Sequence, residues 1–227
     1  MTSYYKSIKQ LRTQKNISQE EICRKINVSR SSYIAFEQGK KDLSFSQMIK
    51  LSNMLGVSLE SIKNNMIPNM EKYKEMILFV LRQLKNKDEK IPKTKLAKML
   101  YLADFSWFYY ELKSMSNMLY SKLQFGPVPE TFFRALEELE QDGKIVTDKK
   151  KEGVFLIKES DSNKNQKINL LNNKEKELIK KITKKWESKK TQEIVNFTHN
   201  QLPYLLCHDK EIIPYELITQ EEENNIY

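Results

Sequence analysis

Apolar positions recur at helical spacing through the first 65 residues and predict five short helices. The first carries Tyr5, Ile8, Leu11 and Arg12 and ends at Lys15 and Asn16. Ser18 is placed to cap a second, with Glu20 and Glu21 in the first turn, where acids favour the positive end of the helix dipole, and Ile22 and Ile26 facing inward. Asn27 and Val28 make a turn, and Ser29 opens a third helix with Tyr33 and Phe36 inward and Gly39 as terminator. A fourth runs from Ser44 or Phe45 to Leu55 and buries Met48, Leu51 and Leu55. Gly56 ends it, and Ser58 caps a last turn with Leu59 and Ile62.

The polar, proline-bearing segment Asn64 to Asn69 separates this domain, residues 1–65, from a second spanning 70–218. Tyr73, Ile77, Val80, Leu81 and Leu84 mark an amphipathic helix, followed by a charged loop from Lys85 to Lys90. A long helix from near Pro92 carries an apolar stripe of Leu96, Met99, Leu100, Ala103, Trp107 and Tyr110. A loop through Phe125 to Pro129 leads into a helix with Phe132, Phe133, Leu136 and Leu139 inward and Gly143 at its end. Lys144–Thr147 and Gly153–Lys158 read as a β-hairpin. Residues 159–169 are polar and expected to be mobile. Asn172 and Glu175 open a helix carrying Leu178, Ile182 and Trp186, and Thr191 is placed to cap the next, which holds Ile194, Val195, Thr198 and His199 before Pro203. An acidic tail, 219–227, is expected to fray. The fold class is therefore mainly α: a five-helix domain, then a larger helical domain with a small β-hairpin. No internal repeat recurs at periods of 20 to 50 residues.

Composition narrows the chemistry. Of 227 residues, 39 are Lys or Arg and 30 are Asp or Glu, a net charge of +9. Residues 1–65 hold 11 basic and 5 acidic side chains, or +6, so most of the excess lies in the first third, where it favours a polyanionic partner. Five scattered glycines allow no phosphate-cradling loop of the Rossmann or P-loop kind. Two cysteines, Cys23 and Cys207, give no disulfide framework and point to a reducing, cytoplasmic setting. The longest apolar run, Met76 to Leu81, is far shorter than the roughly 20 residues of a spanning helix, and the start lacks an apolar signal segment, so no membrane association is expected. His199, Cys207 and His208 do not have the spacing of a zinc site, and neither metal nor cofactor is expected.

The stretch from Ile17 to Lys41 resembles the helix-turn-helix of phage-repressor (XRE/Cro) proteins, and the likeness covers residues 5–63. It rests on Ser18-Gln19-Glu20-Glu21, the turn at Val28-Ser29, the run Phe36-Glu37-Gln38-Gly39-Lys40, and Leu55-Gly56-Val57-Ser58. The resemblance implies that Gln19 contacts phosphate and that the start of the third helix enters the major groove. Arg30, Ser31, Ser32 and, a turn later, Ala35 would then face the bases, and Lys40 and Lys41 the backbone. Arg30 could pair bidentately with guanine, and Ile34 and Ala35, where many relatives have polar readers, could touch thymine methyls. Cys23 departs from the small alanine usual at its position. Tyr33 and Phe36 are core positions, and Glu37 is expected to hold the motif together internally. Proteins of this kind read two half-sites about 34 Å apart, which implies a homodimer.

In the second domain no nucleophile, base and orienting acid can be assembled. Asp104, between Ala103 and Phe105, is either a functional acid or a structural one that caps neighbouring backbone or pairs with Lys98 or Arg134; His199 presents the same two readings. Trp107-Phe108-Tyr109-Tyr110 offers more ring surface than one helix face can bury, and its excess is a candidate contact surface. Lys95 to Asp104, the turn Phe125-Gly126-Pro127-Val128-Pro129, Gly143-Lys144-Ile145, and Thr198-His199 with Pro203 beyond look like the Panacea domain of bacterial and phage antitoxins, a likeness spanning about 70–218. The resemblance implies a non-catalytic module that binds a cognate protein toxin. Together the two likenesses imply an antitoxin that neutralises that toxin and represses its own operon by binding operator DNA. The alternative is a transcription regulator whose second domain binds a non-toxin partner or signal.

Overall fold

In the computed structural model four helices start where a short polar side chain, Ser18, Ser29, Ser44 or Asn172, bonds one of the first free amides. The residues described are 4–55, 57, 59, 62, 67–84, 88–150 and 153–227. Gly56, Ser58, Asn64 to Met66, Lys85 to Lys87 and Lys151, which figure in the sequence reading, lie outside them. The chain divides into two units, Met1–Asn69 and Met70–Tyr227.

In the first unit, α1 is Tyr4–Gln14, α2 Gln19–Ile26, α3 Arg30–Glu37 and α4 Phe45–Leu55. Ser18 Oγ accepts from Glu21 N and Ser29 Oγ from Ser32 N, so both helices of the turn motif are capped. Ser44 and Gln47 exchange side-chain and backbone bonds, a capping box ahead of α4. Ile8, Ile22, Ile26, Tyr33, Phe36, Leu51 and Leu55 fill one core, each at most 1% exposed. Gly39 takes φ +70° after α3, and a β-carbon there would press on the Tyr5 ring at 3.2 Å.

The second unit is built on α6, Lys93–Glu111, which is buried from Lys95 to Ser106 without interruption. Sequence periodicity suggests a stripe; in the fold the helix is covered on every side, as its nearly uniform apolar content demands. It packs against α5 (Met70–Gln83), α8 (Asn173–Trp186) and α9 (Thr191–His199), and α7 (Thr131–Gln141) packs against α5. β1 (Ile91–Pro92), β5 (Phe155–Glu159) and β4 (Ile145–Lys149) form one antiparallel sheet, with Ile91 opposite Ile157. The hairpin expected at 144–158 thus gains a third short strand.

Several expectations are corrected. Phe125 to Pro129 is not a plain loop: β2 (Tyr120–Leu123) and β3 (Gly126–Pro129) make a tight hairpin turning at Gln124 and Phe125, with Tyr120 opposite Pro129. Prolines normally weaken strands, yet β3 pairs with β2 alone, and its partner's other edge is taken by 210–213, through Lys210 N to Lys122 O at 2.7 Å and Ile213 N to Tyr120 O at 2.7 Å. Phe133 is 46% exposed instead of inward. Lys190, not Thr191, is the N-cap of α9, and Glu193 bonds its backbone N–H. Residues 159–169 are held, not mobile: Arg82 pairs with buried Glu159 and donates to the carbonyls of Asn163 and Gln166. The acidic tail is docked. Ile226 is fully buried, Gln201 donates to Asn225 O and Ile226 O, Lys185 to Tyr227 O, and Glu221 accepts from Leu202 N. Ile226 at its end and the Glu221 bond hold it, while Glu222 and Glu223 stay at the surface. Short α10 (Leu202–Leu206) and 3-10 turns at Tyr215–Gln220 and Glu223–Asn225 complete the unit.

Candidate functional site

The first candidate site is the start of α3. Arg30 and Ser31 are exposed in its first turn, whose amides are free apart from the Ser29 cap. Such an end favours anions. Ser31 Oγ lies 3.2 Å from Ser29 Oγ, and Lys41 Nζ donates to Ser32 Oγ at 3.0 Å, so Lys41 sits over the same end. Ile34 and Ala35 are half-buried one turn on, and Lys40 is exposed.

An ion-pair network lies at the other end of α3. Buried Glu37 accepts from Arg12 Nε at 2.7 Å, and the same arginine donates to Ile17 O at 2.9 Å, tying α1 to α3 and to the approach to α2. Glu37 raises the pKa of Arg12, partly opposed by desolvation. Gln19 Nε2 also donates to Glu37, at 2.7 Å. The amide implied to reach phosphate is therefore fixed by the network, with one N–H left to give.

The second candidate site surrounds the β2–β3 hairpin. Gly126 has φ +95°, and a β-carbon there would lie 2.6 Å from His199 Nε2 and 2.7 Å from Lys98 Nζ, so both side chains close on bare backbone. Lys98 is 2% exposed and donates to Pro127 O at 3.0 Å. Desolvation pushes its pKa down to about 7, with no neighbouring acid to restore the charge. The His199 ring stacks on Tyr204 at 4.4 Å and 14°. Burial, then the charge of Lys98, lowers its pKa. Thr198 is fully buried and donates to Val195 O, Val128 is buried, and Phe125 at the hairpin tip is 72% exposed. The sequence offers Lys98 as a partner for Asp104 and as one position of the Lys95–Asp104 stretch. The signal for more was a lysine inside an unbroken apolar run.

Asp104 pairs with neither Lys98 nor Arg134. Fully buried, it accepts from Met115 N at 2.8 Å, Ser116 N at 3.0 Å, Ser114 Oγ at 2.8 Å, Ser116 Oγ and Tyr120 Oη, and so fixes the connection from α6 to β2. The aromatic run divides. Phe108 is buried and stacks near Tyr215, which corrects its place among contact residues; Trp107 and Tyr109 are half-buried, and Tyr110 is 48% exposed. Trp107 and Tyr110 line an open groove of about 620 Å³ with Lys174, Lys181 and Tyr227.

Residues 8–62 match the helix-turn-helix family, and residues 96–203 match the antitoxin SocA-like Panacea domain. An uncharacterized HTH-type transcriptional regulator of Methanocaldococcus jannaschii is 38% identical over 55 residues, which make up 24% of this chain and 83% of that protein. The chain belongs to the helix-turn-helix family. An uncharacterized HTH-type transcriptional regulator of Bacillus subtilis is 32% identical over 57 residues, 25% of this chain; the match spans about half, 49%, of that relative's length. No solved structure matches the chain. In this helix-turn-helix protein the stretch that matches the Panacea domain contains Lys98, Asp104, the β2–β3 hairpin and His199. Among the described residues, no helix is long and apolar enough to cross a membrane, and no group of three His, Cys, Asp or Glu side chains could hold a metal ion.

Proposed function

We propose that the chain is the antitoxin of a toxin–antitoxin pair: the Panacea unit binds and silences a protein toxin encoded beside it, and the helix-turn-helix unit represses the shared operon as a homodimer. The observation that carries this reading is the order of the two matches, a helix-turn-helix match at 8–62 followed by an antitoxin SocA-like match at 96–203. Support comes from the +6 charge of residues 1–65 and from the free start of α3, where Arg30 and Ser31 stand exposed beside Lys41. The operator would be read by Arg30, Ser31, Ser32, Ile34 and Ala35, with Gln19, Lys40 and Lys41 on the phosphates. The toxin surface would include Tyr110 and Trp107 in their groove.

The test is co-expression. Induction of the adjoining gene alone should arrest growth, and adding this chain should restore it and give a complex that copurifies. Growth arrest that the chain does not relieve would disprove neutralisation. A regulator answering to a different partner is the second reading, favoured by the regulator names of the two relatives. It requires an adjoining gene without toxicity and an operator footprint that persists.

A further inference from the structure

Below the tip of the β2–β3 hairpin lies a pocket of about 250 Å³. Its lining is mostly apolar, with Leu123, Phe125, Val128 and Phe133 beside Lys98 and Lys93, and among the described residues no acid lines it. Lys93 is held at the wall by the rings of Phe133 and Phe155, its Nζ 5.0 and 4.3 Å from their centroids. Phe125 and Phe133, 72% and 46% exposed, are large apolar side chains that the fold leaves open to solvent at this pocket.

Lys98 is the feature that selects an occupant. It is 2% exposed and donates to the Pro127 carbonyl, and its charged neighbours among the described residues are cationic or neutral: Lys93, which lines the same pocket, His199 on α9 and, beyond His199, Lys122 on β2. An ammonium can donate three bonds, and burying it without an anion is costly. Apolar walls, two lysines and no acid are complementary to one chemistry.

We infer that this pocket is a binding site for a small ligand made of an apolar group ending in a carboxylate. The volume, below the roughly 300–1,000 Å³ of drug-sized sites, limits the apolar part to something like a phenyl ring or a short alkyl chain. The carboxylate would pair with Lys98 and draw on Lys93, and the apolar part would cover Phe125 and Phe133. Since desolvation leaves Lys98 with a pKa of about 7, pairing restores its charge, and binding above that pH takes up a proton. The site lies outside the groove assigned to the toxin, and the inference does not depend on neutralisation.

Calorimetry on the full chain tests it, with 3-phenylpropionate and hexanoate as probes, their amides as uncharged shape controls, and a short peptide ending in Phe with a free or amidated end. Each acid should bind at least about tenfold more tightly than its amide. At about pH 8.5 the acids should take up a proton, read from two buffers of different ionisation enthalpy. Lys98→Met should remove the preference for acid over amide. Phe125→Ala, a change at an exposed ring that folding does not need, should weaken acid and amide alike. Equal binding of acid and amide, binding of neither, or an acid preference that survives Lys98→Met would overturn the site. Binding of the free-ended peptide but of neither small acid would overturn the small-ligand assignment and transfer the chemistry to a protein chain end.

Discussion

Lys98 holds its place at a cost that pH exposes. Its folded pKa, about 7, lies below the ordinary lysine value, so the unfolded chain binds more protons between about pH 7 and 10.5 and stability rises with pH across that window. The penalty is fully present below pH 7 and gone above the unfolded value. Lys98→Met removes it, so the stability of the variant minus that of wild type should be greatest at or below pH 7 and shrink by about 1.4 kcal/mol per pH unit above it. Denaturant melts at pH 7, 8 and 9 measure this, and the tyrosines and cysteines that titrate in both proteins cancel. A difference that stays constant with pH would mean that Lys98 is not the titrating group. Arg30 raises a different question at the same scale. Its exposure at the start of α3 leaves it free for a base edge, so Arg30→Ala should cost roughly 1–3 kcal/mol on the native operator and relax preference at one base pair. Lys40→Ala, at a position proposed to meet the DNA backbone, should weaken all sequences alike and lower the salt slope by about one. A footprint indifferent to Arg30→Ala would end the base-reading role. Glu37 was legible from sequence because acids inside a motif core demand a partner, which Arg12 supplies. Lys98 was not, since a lysine in an apolar run normally extends its stem along the surface and keeps its charge in water.

At the scale of elements, local signals could be read and non-local ones could not. Ser18, Ser29 and Asn172 cap their helices through bonds to residues three positions ahead, and such bonds are written in neighbouring sequence. The capping box of Asn172 and Glu175 should therefore be separable: Asn172→Ala is expected to cost about 1 kcal/mol in thermal or denaturant unfolding. β1, by contrast, exists because Ile91 and Pro92 meet β5 more than sixty residues away, and nothing near them announces it. The same holds for the edge of β2 taken by 210–213, and for the tail, whose Ile226 finds a buried site beside Ser106. The turn at Gly126 lies between these cases. Its Gly-Pro pair signalled a fixed turn, while the reason for glycine, two side chains meeting its Cα, is tertiary. Gly126→Ala should cost more than the roughly 1–3 kcal/mol of the positive φ, because its β-carbon must also displace His199 and Lys98, and Gly126→Val more still, because its branches add to the same clash. Equal stability of Gly126→Ala and wild type would show that the hairpin relaxes without strain.

For the whole molecule, the proposal that one chain both represses and neutralises can be taken apart at the boundary between its units. Met1–Asn69 and Met70–Tyr227 each bury an apolar cluster of their own, Ile8 to Ile67 in one and Met70 to Ile226 in the other, so each has the core that an independently folding domain requires. The charge excess stays with the first, +6 in residues 1–65 against +3 in the rest, which fits the proposal that the first unit meets the polyanion and the second a protein partner. Residues 70–227 alone should then rescue cells that express the toxin, and a full chain carrying Arg30→Ala should rescue as well as wild type while derepressing the operon. A charge placed at Tyr110 should weaken the toxin complex with the melting curve close to wild type, because Tyr110 is exposed and lines the groove. Phe108 is the internal control: buried against Tyr215, its replacement should lower stability first and toxin binding only as a consequence. Rescue by residues 1–69 alone, or rescue that disappears with Arg30→Ala while the toxin complex still forms, would show that repression protects the cell and that the division of labour drawn from the two cores is wrong.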